Sequence, residues 1–100
     1  MAKKKNIPTI EQCETVYQTL KVMAHPQRMM ILCQLCEGPK TVGDLEELSG
    51  ATQSAVSQFL NRMKLEKLVT SRRHTHFVYY EIADPNIMKL VQSLHNIYCK

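Results

Sequence analysis

One hundred residues make a single domain, large enough for a core and small enough to gain from a partner subunit. A formal charge of +4 and a pI near 9.0 favour a polyanionic partner. No apolar run is long enough to cross a membrane or to serve as the apolar region of a signal peptide, so the expected location is the cytoplasm and no membrane partner is expected.

Residues 1–9 read as a flexible basic tail, kept in solvent by Lys3, Lys4 and Lys5, and residues 10–100 as the folded domain. Residues 10–24 carry Cys13, Val16, Tyr17, Leu20 and Met23 on one helical stripe. His25-Pro26 opens a second helix that runs to about residue 37. There Met29, Leu32, Cys33 and Cys36 form one stripe while Ile31 and Leu35 form another, so this helix is expected to be the centre of the core.

Thr41 is placed to cap a third helix, Val42-Gly43-Asp44-Leu45-Glu46-Glu47-Leu48, with Asp44 in its first turn. Ser49-Gly50 ends it, Gly50 supplying the positive φ that a helix terminus needs. Thr52 then caps a fourth helix predicted over residues 53–67. So short a turn makes the two helices cross steeply. Val56, Phe59, Leu60 and Met63 recur at helical spacing and mark the buried face. The opposite face shows Thr52, Gln53, Ser54, Ser57, Gln58 and Asn61, short or uncharged side chains with both donors and acceptors. Such a set suits base edges in a major groove, whereas a merely solvated face would more usually carry Glu and Lys.

After Leu68 the period becomes alternating. Val69-Thr70-Ser71-Arg72-Arg73 leads to His74-Thr75-His76, and Phe77-Val78-Tyr79-Tyr80-Glu81-Ile82 returns, which predicts a β-hairpin. Arg72, Arg73, His74 and His76 lie near its tip, where a wing meets a phosphate backbone or a minor groove. Alone the hairpin would be read as an ordinary one with solvated arginines; directly after a helix-turn-helix it reads as a wing. A last helix follows Asp84, with Ile87, Leu90, Val91, Leu94 and Ile97 on one stripe. The expected fold is mainly α with a small β-hairpin, a winged helix-turn-helix. Its terminal helices are expected to form a homodimer interface that presents two reading helices to an imperfectly palindromic, double-stranded DNA operator.

No cofactor or enzyme chemistry is expected. The histidines and serines assemble no nucleophile and base. Cys33 and Cys36 do form a Cys-x-x-Cys, but at the end of an apolar helix rather than at the helix amino terminus where oxidoreductases use the dipole to lower a thiol pKa. A thiol-redox enzyme built on that pair is therefore the least favoured alternative, and Cys13 and Cys36 are read as packing residues.

The chain resembles the ArsR/SmtB family of winged-helix repressors over nearly its whole length. The resemblance rests on Ala24-His25-Pro26-Gln27-Arg28-Met29-Met30-Ile31-Leu32, on Val42-Gly43-Asp44-Leu45, on Gln53-Ser54-Ala55-Val56-Ser57-Gln58-Phe59-Leu60, and on Arg72-Arg73 with Val78-Tyr79-Tyr80. It implies a dimeric repressor that leaves its operator when an inducer acts. It departs from the family at Phe59, where His is common, and at the wing tip, which lacks the usual Gly.

Metal-sensing members carry a Cys-x-Cys at the start of the first helix of the reading module, or paired acidic and His ligands on the last helix. Here those positions hold Thr41 and Gly43, and Asp84, Asn86, His95 and Tyr98. Zinc or another metal is thus a secondary expectation, requiring Asp84 and His95 from both subunits. Met30-Ile31-Leu32-Cys33 and Leu94-His95-Asn96-Ile97-Tyr98-Cys99 resemble instead the branch of BigR-, SqrR-, YgaV- and HlyU-like regulators. That resemblance implies a switch in which reactive sulfur species join Cys33 and Cys99 by a disulfide or polysulfide.

Overall fold

A computed structural model describes residues 6–99. The expected tail lysines, Lys3 to Lys5, lie outside the described residues. In chain order the elements are α1 (Ile10–Met23), α2 (Pro26–Leu35), α3 (Val42–Ser49), α4 (Gln53–Leu65), β1 (Val69–His74), β2 (Phe77–Ile82) and α5 (Pro85–Tyr98). The mainly helical fold with one hairpin is as expected.

Each helix begins at a side chain able to hold its free amides. The Thr9 and Thr41 hydroxyls accept from the third residue of α1 and α3, Gln12 and Asp44, whose side chains accept from the cap amides in return. Thr52 Oγ1 accepts from Ala55 N at 3.1 Å, and Asp84 Oδ1 from Asn86 N at 2.9 Å. His25 does the same for α2, its Nδ1 accepting from Gln27 N at 3.2 Å, while Pro26 has no N–H that would need an acceptor. Gly50 takes φ 73° at the end of α3, the left-handed conformation expected of it.

Two helices stop short of their predicted ends. α4 ends at Leu65 because Lys67 turns left-handed at φ 64°. Lys67 N then donates to Lys64 O at 3.0 Å and Leu68 N to Met63 O at 2.8 Å, a paired closure that usually employs glycine. α2 ends at Leu35, beyond which Cys36, Glu37 and Gly38 form tight i→i+3 turns.

α2 is the hub, packed by α1, α3, α5 and β2. Ile31, Leu32 and Leu35 are fully buried there, against Leu45 of α3, Val56, Leu60 and Met63 of α4, and Ile87 and Val91 of α5. α1 meets this core through its last turn, where Val22 and Met23 are buried. The remainder of its predicted stripe is uncovered: Cys13 is exposed, and Val16, Tyr17 and Leu20 are 53%, 56% and 44% exposed. Ile97 of α5 is also exposed, at 64%.

The two strands pair antiparallel in the register Val69↔Ile82 through His74↔Phe77, leaving Thr75 and His76 as the turn. Thr75 stands at φ 57°, the positive value that a two-residue hairpin turn demands and that the missing glycine would have met without strain. At its other end the hairpin is fastened by reciprocal bonds between Lys40 and Tyr80, at 3.0 and 2.8 Å, and by Ala83 N to Leu68 O at 2.9 Å.

Candidate nucleic-acid interface and thiol pair

The outer face of α4 follows from its period. Gln53, Ser54, Ser57, Gln58 and Asn61 recur on the side opposite the buried Val56, Leu60 and Met63. Gln53, Ser54, Gln58 and Asn61 are exposed, and Ser57 is half-buried. Thr52 is exposed as well, its oxygen accepting one bond as the cap, which leaves the hydroxyl proton and one lone pair to meet another group. The helix is held from both ends. At its start the Gly50 turn joins it to α3, and at its end Lys64 Nζ donates to Ser71 Oγ of β1 at 2.7 Å.

The wing cations, predicted as one group, separate by strand alternation. Arg72 faces Tyr79 across the ladder, and Glu81 is its diagonal neighbour on the same side, so Arg72 Nε reaches Glu81 Oε2 at 3.0 Å. His74 shares that side, 6.5 Å from the Tyr79 ring. Arg73 pairs with Val78 and points to the other side, while His76 belongs to the turn. Arg72, Arg73, His74 and His76 are all exposed. Glu81 was not singled out by sequence reasoning. Its register opposite Thr70, one diagonal step from Arg72, is the signal that finds it.

At the far end of α2, Cys33 is half-buried beside α5, and Cys99 is exposed as the C-cap of α5, its amide donating to His95 O at 2.8 Å. Burial first, and then the charge of Cys99, push the Cys33 thiol above its ordinary range. Beside Cys33 lies a pocket of about 340 Å³ lined by Cys33, Cys36 and Glu37 from the end of α2 and by Val91, Gln92, His95 and Asn96 from α5. Cys36, read from the sequence as a packing residue, is on this wall, half-buried. Burial and then Cys33 raise its thiol too.

The positions weighed for a metal have structural duties. Thr41 is half of a capping box and Asp84 caps α5. Among the described residues no three His, Cys, Asp or Glu side chains come together in a way that could hold a metal ion. Nor is any described helix long and apolar enough to cross a membrane.

Comparison with known proteins agrees with this architecture. Residues 25–71 match the family model described as "Bacterial regulatory protein, arsR family". The chain is 40% identical over 81 residues to the HTH-type transcriptional regulator YgaV of Escherichia coli, an alignment covering 80% of this chain and 82% of that protein. Reduced HlyU from Vibrio cholerae superposes with a TM-score of 0.87 at 30% identity, covering 91% of this chain and 96% of the other. The transcriptional repressor BigR from Xylella fastidiosa gives 0.86 at 29% identity, covering 99% of each.

Proposed function

Because the chain belongs to the arsR family of bacterial regulatory proteins, we propose that it is a homodimeric transcriptional repressor whose hold on its operator is broken when reactive sulfur joins Cys33 to Cys99. The reading helix is α4, with Gln53, Ser54, Ser57, Gln58 and Asn61 toward base edges and Thr52 at its cap, while Arg72, Arg73, His74 and His76 of the wing meet backbone or minor groove. A second copy covers the apolar stripe of Cys13, Val16, Tyr17 and Leu20 on α1 together with Ile97 of α5.

The observation that carries the sulfur reading is that Cys33, on the hub helix, packs beside α5, at whose end Cys99 stands close enough for its charge to act on Cys33. The Cys33 thiolate takes the outer sulfur of a small persulfide, RS–SH, releasing RS⁻ and leaving Cys33–S–SH. The Cys99 thiolate then attacks the Cys33 sulfur, the bridge closes, and HS⁻ departs. A longer polysulfide leaves additional sulfur in the bridge and relaxes the spacing that a direct disulfide requires. Tying α2 to α5 changes how the dimer face sits on the core, and with it the separation of the two α4 helices. A hundredfold loss of operator affinity needs only about 2.7 kcal/mol, which a small misplacement of half-site contacts supplies.

The test is to treat reduced protein with glutathione persulfide, then follow intact mass, a tryptic map and operator binding together. A Cys33 to Cys99 cross-linked peptide appearing as binding is lost is the expected result. Cys33→Ser and Cys99→Ser are expected to bind operator normally in reductant and to stay bound after treatment. Normal release of Cys99→Ser would refute the two-thiol switch.

A further inference from the structure

Cys36 stands three residues from Cys33, lines the same pocket, and feels the charge of Cys33, so the two sulfurs lie on one face of α2. Helix geometry puts Cα atoms at that spacing about 5 Å apart, within the roughly 4.4–6.8 Å of a disulfide. Cβ atoms on a regular helix are about 5–6 Å apart, wider than the roughly 3.5–4.5 Å a disulfide prefers, so the turn must tighten or the bridge must carry an extra sulfur.

That turn already departs from the regular α-helix. Cys36 N is shared between Leu32 O at 3.1 Å and Cys33 O at 3.2 Å, and Glu37 N and Gly38 N bond to Gln34 O and Leu35 O, both at 3.1 Å. Three successive i→i+3 bonds are 3₁₀ geometry, in which side chains three apart are eclipsed but stand about 6 Å apart along the axis, so the bridge must bend this turn or carry an extra sulfur. Gly38, at φ 136°, then lets the chain leave without constraint from a side chain. The second thiol therefore sits where the helix gives most easily.

We propose that Cys36 is a third thiol of the switch, taking the sulfur bridge over from Cys99 to form a bridge internal to α2. This rests on the Cys33–Cys99 reading above. The Cys36 thiolate attacks the Cys33 sulfur of Cys33–S–S–Cys99. A Cys33–Cys36 bond forms as the bond to Cys99 breaks, the electron pair leaves on Cys99, and Cys99 takes up the proton that Cys36 gave up. Nothing is oxidised or reduced on balance. α5 is then untied while α2 stays bridged, so the protein regains its operator without any reductant and stays blind to further sulfur until one arrives.

The chain lends itself to the test. Trypsin cuts after Arg28 and Lys40, leaving Cys33 and Cys36 together in peptide 29–40, and after Lys89, leaving Cys99 in peptide 90–100. Wild-type protein is given inorganic polysulfide, blocked with iodoacetamide over time, and mapped beside operator binding. The cross-link between the two peptides is expected to form first and to decay into peptide 29–40 lacking two hydrogens, with or without added sulfur, as operator binding returns. In Cys36→Ser and Cys36→Ala, with folding verified by circular dichroism, the cross-link and the released state are expected to persist. A wild-type cross-link as lasting as theirs, or an internal bridge without return of binding, overturns the proposal. If no cross-link forms in any of these proteins, the Cys33–Cys99 reading itself has failed. Where the cross-link does form, Cys99→Ser checks the internal bridge separately: an internally bridged peptide 29–40 on operator-bound protein supports it, and two free thiols there end it.

Discussion

The ring of Phe59 on α4 lies 4.7 Å from the ring of His25 at the start of α2, the two tilted by 49°. The Arg28 guanidinium stands 5.6 Å from the same ring, and its Nη1 donates to Val22 O of α1 at 2.9 Å. One turn of α2 thus grips α4, while Cys33 rides near the other end of α2. Phe59 occupies a position where the family often has His, and its neighbours account for the ring: a tilted imidazole and a cation both pack against it.

Phe59→Ala is expected to cost about 2–4 kcal/mol of folding stability, the usual toll for a large aromatic, reduced here because Phe59 is only partly buried. Urea unfolding measures it. A loss below about 0.5 kcal/mol, the range of ordinary surface changes, would show that the stack is incidental.

Gln58→Ala should weaken the cognate operator by about 1–3 kcal/mol and random DNA hardly at all, because a base-reading amide discriminates whereas a phosphate contact does not. Fluorescence anisotropy on both duplexes gives the comparison. An equal loss on both would remove Gln58 from the reading face.

Glu81→Gln acts through the wing. The carboxylate holds Arg72 at 3.0 Å and places a negative charge beside any approaching phosphate. The variant should bind all DNA sequences more tightly, and the slope of log affinity against log salt should steepen by about one as Arg72 becomes free to neutralise a phosphate. An unchanged slope would mean that Arg72 leaves Glu81 for the backbone in the wild type without hindrance.

The reaction with persulfide should accelerate with pH. Burial, then Cys99, hold the Cys33 thiol above its usual 9.0, so near neutrality it is protonated and each pH unit raises the thiolate about tenfold. Quenched-flow mass spectrometry between pH 7 and 8 should show close to that increase. A flat profile would identify a different nucleophile. Stability moves the opposite way: above pH 9 the unfolded chain gives up its thiol protons before the folded one does, so the fold weakens as pH rises through that range.

Caps and turns were the most legible part of the chain, because Thr41, Gly50 and Thr52 act on their immediate neighbours and need no tertiary knowledge. The polar outer face of α4 was legible for a similar reason, its residues simply avoiding the Val56, Leu60 and Met63 stripe. The end of α4 was not, since Lys67 fills a left-handed position that glycine normally marks. Periodicity found the α1 stripe but not its environment: an apolar face looks the same in sequence whether it meets its own core, as Met23 does, or is left bare like Tyr17. Cys36 packs against the core as its helical phase implies, but its second environment was hidden for a related reason. Its helical phase places it among apolar residues, and only the packing of α5 against α2 turns that stripe into a pocket wall.

Lys67 and Thr75 are the two non-glycine residues with positive φ among those described, and they bracket β1 at its base and its tip. Such backbone conformations cost of order 1–3 kcal/mol each and persist only while their surroundings enforce them. The wing therefore holds its shape on loan from the rest of the domain. In an amide-exchange experiment its hydrogens should be replaced well ahead of those of α2, and the difference between free and operator-bound protein should be largest there. The hairpin would then serve as the protein's own reporter of occupancy, legible one amide at a time.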